Sequence, residues 1–156
     1  MTRLPELYSA LPEVFAGSFE SARPWMLLDA PLEALLAALP SAEILGRVHP
    51  GAHLLGDRIF LGKGTRIAPG AVVEGPVWIG EDVEIRVGAY LRGGCWVGDG
   101  CVVGANVEMK RAILFPGAHA AHLNYVGDSI LGNDVNLGAG VILSNFRHDG
   151  SEITIP

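Results

Sequence analysis

The chain has 156 residues, 49% of them hydrophobic and 18% charged, with a formal net charge of −6. That is the length of one domain with ample apolar material for a core, and the acidic balance argues against nucleic acid or an anionic membrane surface as the main partner. No apolar run reaches the roughly 18 residues of a membrane span, and the N-terminus lacks the basic start and small-residue cleavage site of a secretion signal, so no membrane insertion and a cytoplasmic location are expected.

Residues 1–43 read differently from the rest. Leu4 to Phe15 holds helical fragments interrupted by Pro12. Asp29 suits an N-cap and Pro31 a first helical turn, and Leu32, Leu35, Leu36 and Leu39 line one apolar face. Pro40 stops that helix. A solenoid needs cover over its end strand, so residues 1–43 are expected to form a helical cap packed on the first coil, or a docking arm for another subunit.

The β pattern begins at Ile44 and defines a domain over residues 44–156. Val48 and Leu55 are seven apart, an irregular first turn. From Leu55 the chain repeats every six residues: Leu55, Leu61, Ile67, Val73, Ile79, Ile85, Leu91, Val97, Val103 and Met109 are all aliphatic. Two residues before most of them sits something small or β-branched, from Thr65 and Ala71 through Cys95 and Cys101 to Val107. Three residues after them come turn residues such as Gly64, Gly70, Pro76, Asp82 and Asn106. A helix needs apolar spacing near 3.6 and an alternating strand needs 2. A strict six fits short strands joined by tight turns, the signature of a parallel β-helix. Three hexads make a triangular coil of 18 residues, and residues one coil apart stack at about 4.8 Å. Cys95 and Cys101 fall on the inward small position and read as buried thiols.

After Met109 the register slips. Met109 to Leu114 and Val126 to Leu131 are each five residues, so the coil from Met109 to Val126 takes 17. That coil carries His119, His122, Asn124 and Tyr125, and a local departure from a regular scaffold is where a site is expected. Leu131, Leu137 and Leu143 restore the hexad. Nothing at Ile153 to Pro156 looks like a cap, so either a partner covers the last coil or the sequence is the front part of a longer solenoid.

The position after each inward aliphatic is usually Gly or Ala but is charged at Glu74, Arg86, Arg92 and Lys110. Gly56, Glu74, Arg92 and Lys110 are 18 apart and form one column. Two cations about 5 Å apart repel by on the order of 1 kcal/mol in water and about 3 at an effective dielectric of 20. A phosphate between them would remove that cost; pairing of Arg92 with Glu74 would do so too. His122 lies one coil along and is expected within reach of the same edge, on one wall with Arg92 and Lys110, and histidine is the usual general base. His119 and His122 form an H-x-x-H pair that raises a zinc site, although zinc usually takes three or four ligands.

The segments Asn106 to Ala112, Ala121 to Asp128, Asn133 to Gly140 and Ser144 to Phe146 resemble the acetyltransferase half of the bifunctional bacterial enzymes that make UDP-N-acetylglucosamine, glucosamine-1-phosphate N-acetyltransferase fused to UDP-N-acetylglucosamine pyrophosphorylase. The match covers roughly residues 45–150 and is specific from Arg92 to Phe146, where the spacing between motifs is kept as well as their content. The resemblance implies an all-β, left-handed parallel β-helix. It implies that Arg92 and Lys110 hold a phosphate-bearing sugar and that Tyr125 and Asn136 complete the acceptor site. His122 would be the general base for attack of the sugar amine on an acetyl thioester. Ala139, Asn145 and Phe146 would line the side of acetyl-CoA, the acyl donor. No metal is expected at the site, and a homotrimer is implied, with sites between neighbouring solenoids.

The sequence also departs from that family. No G-x-G-T-R-M nucleotide loop occurs, and Leu61 to Arg66 is scaffold, so uridylyl transfer is not expected of this sequence. Phe146 stands where the family has Tyr, the family's Lys shortly after Asn145 is missing, and coils after Pro156 that would complete the CoA side are not in the sequence. Three readings therefore stand: an acyl-CoA-dependent N-acetyltransferase acting on an amino-sugar phosphate or nucleotide sugar, a degenerate sugar-phosphate-binding solenoid that assembles with a partner, and a trimeric zinc enzyme like the β-helix carbonic anhydrases.

Overall fold

The computed structural model describes Phe15, residues 23–144 and residues 147–151. Among the described residues, eighteen short strands wind as a parallel solenoid with three flat sides. Sheet A stacks β1 (Ala42–Ile44), β4 (Ile59–Leu61), β7 (Val77–Ile79), β10 (Cys95–Val97), β13 (Ile113–Leu114) and β16 (Ile130–Leu131). Sheet B stacks β2 (Arg47–Val48), β5 (Arg66–Ile67), β8 (Glu84–Ile85), β11 (Val102–Ala105), β14 (His119–His122) and β17 (Asn136–Leu137). Sheet C stacks β3 (His53–Leu55), β6 (Val72–Glu74), β9 (Tyr90–Leu91), β12 (Glu108–Lys110), β15 (Tyr125–Gly127) and β18 (Ile142–Leu143). Every pairing is parallel, between strands three apart in sequence, as a triangular coil requires. This is the all-β parallel solenoid of about six turns that the hexads predict, consistent with the left-handed winding of hexapeptide repeats.

The inward positions from Leu61 to Met109 are buried, and the small positions two residues before them, Ala71 through Val107, are buried with them. Thr65 sits among them with its hydroxyl satisfied twice: Oγ1 donates to the Gly80 carbonyl at 2.6 Å and accepts from the Val83 N–H at 2.8 Å. Most corners take a left-handed residue, whether glycine, as at Gly88 (φ 70°), or Asp and Asn, as at Asp82 and Asn106. These are the residue types that tolerate that conformation.

One end of the repeat differs from expectation. Leu54, not Leu55, faces inward: it pairs with Val73 and packs against the core, while Leu55 pairs with Glu74 and is 47% exposed. Val48 to Leu54 is therefore a regular six, and the seven-residue side runs from Leu54 to Leu61. The outward column is accordingly Leu55, Glu74, Arg92, Lys110, and Gly56 belongs to a corner with φ 79°. Farther on, Met109 pairs with Val126 and Leu114 with Leu131, which gives the 17-residue spacing. From Val48 onward, all three departures from the hexad fall on one edge, where sheet C turns into sheet A.

Phe60, Trp78, Trp96 and Ile113 form an outward apolar column on sheet A; Trp78 stacks on Phe60 and Trp96 with centroids 5.4 and 4.8 Å apart. Such a column needs cover. It receives Leu27 and Leu28 from a 3-10 turn (Pro24–Leu28), Leu32 and Leu36 from helix α1 (Ala30–Ala37), and Phe15 from earlier in the chain. α1 has Asp29 at its N-cap and Pro31 in its first turn, and it ends ahead of Pro40. The helix thus lies against the flank of sheet A beside Trp96, Ile113 and Phe115, not over the first coil, because the outward-pointing aromatics that need cover are on the flank. Of the Leu4 to Phe15 stretch, only Phe15 falls within the described residues.

Candidate functional site

Sheet C carries the candidate acceptor residues on its outer face in two parallel columns. One column runs Tyr90, Glu108, Tyr125 and the other Glu74, Arg92, Lys110, Gly127. Residues two apart along a strand point the same way, so the columns interleave. Tyr90 donates its hydroxyl to Glu74 Oε1 at 2.9 Å, and Arg92 Nη1 donates to Glu108 Oε1 at 3.1 Å. The Glu108 hydrogen bond holds the Arg92 guanidinium above its ordinary pKa against desolvation, with Glu108's charge and the nearby Tyr90 and Tyr125 acting in the same direction. Donation to Glu74 likewise raises the Tyr90 hydroxyl. Tyr125 leans over Gly127, where a Cβ would meet the ring at 2.5 Å. Arg92 and Lys110 thus stand at adjacent levels of one face with Tyr125 beside them. Arg92 takes its carboxylate from Glu108, not Glu74.

Lys110 reaches sideways to the C–A edge. Its Nζ lies 3.4 Å from Asp128 Oδ2, and Asp128, only 6% exposed at its side chain, also accepts a close hydrogen bond from Arg111 Nε. Arg111 then meets Asp29, just ahead of α1, at 3.4 Å. Asp29 makes no side-chain cap to its own helix.

His122 is not on this wall. It ends β14 on sheet B, exposed, at the corner that leads through Leu123 and Asn124 into Tyr125. The reason is the corner itself: a hexad side holds a strand of only two to four residues, and here two residues suffice to pass from one sheet to the next. Buried Asn124 staples this corner. Its Oδ1 accepts the His122 N–H at 3.1 Å and its Nδ2 donates to the Gly138 carbonyl at 2.7 Å, while Gly140 N–H bonds the His122 carbonyl at 3.2 Å. His122 is thereby tied to the turn that holds Ala139, which is exposed. Leu123 occupies the corner itself in the left-handed conformation, φ 51°, and is 62% exposed.

Asn136 lies on sheet B one level above His119, exposed, and away from the two-column face. The structure therefore brings Arg92, Lys110 and Tyr125 together on sheet C, and His122, Ala139 and Asn136 onto the adjoining corner and sheet B. Asn145 and Phe146 lie outside the described residues. Among the described residues no three His, Cys, Asp or Glu side chains gather as a metal site, and no helix is long and apolar enough to cross a membrane. Tyr90, Glu108 and Asp128 are the residues that site reasoning from sequence passed over, and Asn124 was picked out only as part of the irregular coil, without its role at the corner. The Tyr90–Glu108 spacing of 18 was a usable signal, whereas the staple by Asn124 needed coordinates.

Residues 76–111 match the family described as bacterial transferase hexapeptide (six repeats). The bifunctional sugar-1-phosphate nucleotidylyltransferase/acetyltransferase of Sulfurisphaera tokodaii is 35% identical over 133 residues, 85% of this chain and 33% of that protein. The bifunctional protein GlmU of Alkalilimnicola ehrlichii is 40% identical over 104 residues, 67% of this chain and 22% of that protein. The chain thus spans a third or less of the length of these relatives. Among solved structures, a hexapeptide transferase family protein from Anaplasma phagocytophilum is 19% identical with a TM-score of 0.43, covering 66% of this chain and 68% of that one. Periodicity, winding and sequence likeness converge: this chain is a parallel β-solenoid of hexapeptide repeats that resembles the bacterial hexapeptide transferases over residues 76–111 and the acetyltransferase part of the GlmU-type bifunctional proteins over more of its length.

Proposed function

We propose that the protein is an acyl-CoA-dependent N-acetyltransferase whose acceptor is an amino-sugar phosphate or nucleotide sugar. The observation that carries this reading is the layout of sheet C: two cations at adjacent levels along one edge, Tyr125 on the column between, and His122 at the opposite corner. The two columns stand two residues apart on strands that rise about 3.3 Å per residue, so roughly 7 Å separates Tyr125 from the Lys110 column. A hexosamine phosphate carries its charge and its amine on different carbons of a ring of that scale. The phosphate would lie on Arg92 and Lys110, the ring against Tyr125, and the amine toward His122. Asn136 would meet the acceptor from sheet B.

In the reaction the amine nitrogen attacks the thioester carbonyl, His122 takes the ammonium proton, and the C–S bond breaks to release the CoA thiolate, which is then protonated. The staple by Asn124 fixes the backbone from which His122 acts and ties it to the turn of Ala139, where the acyl donor would lie with Asn145 and Phe146. The phosphate must displace Glu108 from Arg92, so substrate binding exchanges one carboxylate for a dianion. The unit would be a homotrimer, with a neighbouring solenoid closing the sheet C face, in the cytoplasm. The test is acetyl-CoA-dependent thiol release with glucosamine-1-phosphate. Activity that falls at least a hundredfold in His122→Ala, with sugar-phosphate affinity retained, supports the reading; full activity in that variant refutes the role of His122, and zinc-dependent turnover without acetyl-CoA would refute the class.

A further inference from the structure

Where sheet C turns into sheet A, the side of the coil shortens up the axis: seven residues from Leu54 to Leu61, six at the next two levels, then five from Met109 to Leu114 and from Val126 to Leu131. Side-chain bulk along this edge is uneven too. Arg58 and Arg111 mark its low and high levels, both in the left-handed conformation, while the two levels between hold Gly75-Pro76 and Gly93-Gly94. Three coil steps separate the two arginines, about 14 Å at strand spacing. The middle of the edge is therefore notched. A side chain cannot simply fill it, because a Cβ at Gly93 would lie 2.9 Å from the Gly75 carbonyl oxygen and Gly94 has φ 83°.

Helix α1 closes this notch into a cleft of about 350 Å³. Pro76 and Gly94 line it on the solenoid side, and Leu32, Leu36 and Ala37 on the helix side. That is the lower end of the size range of small-molecule sites, which pair an apolar lining with a few polar groups. The charged residues in its lining are Arg58, Lys110, Arg111 and Glu33. Lys110 and Arg111 at the high end are already engaged by Asp128. Arg58 at the low end has no side-chain partner among the described residues, and Glu33 is the one carboxylate in the lining.

We infer that this cleft between α1 and the C–A edge binds a small amphipathic anion, with an apolar chain or ring between Leu36 and Pro76 and a phosphate or carboxylate end on Arg58. The inference does not rest on acetyl transfer. It adds a second ligand site, about three levels long, on the side of Lys110 away from His122.

The test is calorimetry on the full chain with hexyl phosphate, inorganic phosphate and hexanol. Hexyl phosphate is expected to bind at least tenfold more tightly than either of the others. Ala37→Phe, at an exposed helix position, fills the cleft and should remove that gain while leaving inorganic phosphate unchanged. Arg58→Asn, which keeps a residue tolerant of positive φ, should reduce hexyl phosphate to the level of hexanol. Equal binding of hexyl phosphate and inorganic phosphate, or hexyl phosphate affinity unchanged in Arg58→Asn, overturns the proposal. Cooperative urea unfolding serves as the control for each variant, and Arg58→Asn decides the case if Ala37→Phe does not fold. Loss of sugar acetylation with hexyl phosphate binding intact would count against the transferase reading alone.

Discussion

Replacing either cation of the sheet C column separates a phosphate site from a salt-bridged surface, and the two replacements should not cost the same. A charge-assisted hydrogen bond contributes about 1.5–3 kcal/mol. Arg92 and Lys110 are 43% and 45% exposed, so solvent screening lowers this to roughly 1–2 kcal/mol each, a five- to thirtyfold loss of affinity. The surroundings then break the symmetry. Arg92→Ala leaves Glu108 unpaired on the same strand as Lys110, two residues away, so a carboxylate faces the incoming phosphate. Lys110→Ala leaves Asp128 still held by Arg111. Arg92→Ala should therefore fall toward the top of that range or beyond it, and Lys110→Ala toward the bottom. Glu108→Gln should tighten binding, because the phosphate no longer displaces a carboxylate from Arg92. The assay is titration calorimetry with glucosamine-1-phosphate at two salt concentrations, with each loss shrinking at the higher one. Both alanine variants binding within twofold of the parent, or Glu108→Gln binding more weakly, would refute a phosphate on this column.

Thr65→Val removes a buried hydroxyl and leaves the Gly80 carbonyl and the Val83 N–H without that partner; urea unfolding should show a loss of about 2–4 kcal/mol, and a loss under 0.5 would mean that the backbone repairs itself. Leu123→Asn relieves a leucine held at φ 51° and should raise stability by about 1 kcal/mol; a lower melting temperature would show that the Leu123 side chain packs on something. Burial pushes the Cys95 and Cys101 thiols up to about 12. Because the folded values are raised, both remain protonated through neutral pH, and iodoacetamide at pH 8 should label neither until urea unfolds the chain; rapid labelling of the native protein would contradict the packing of this core.

Periodicity alone carried the parallel triangular coil, because a hexad of one aliphatic, one small residue and one turn residue has few other ways to bury its apolar third; the hand of the coil came only from the family resemblance. It also carried the sharing of one face by Arg92 and Lys110, since 18-residue spacing turns directly into vertical stacking. It misplaced Leu55, because near an end the choice between Leu54 and Leu55 depends on where one extra residue is absorbed, and pairing with Val73 decides that. The flank position of α1 was legible in principle, in Phe60, Trp78 and Trp96 standing 18 apart on the outward position. The separation of His122 from the cations by a corner, the staple through Asn124 and the cleft below Lys110 were decided only in three dimensions. Each depends on how a side of five, six or seven residues bends the same chain, and the bend is set by contacts between levels that no single hexad contains.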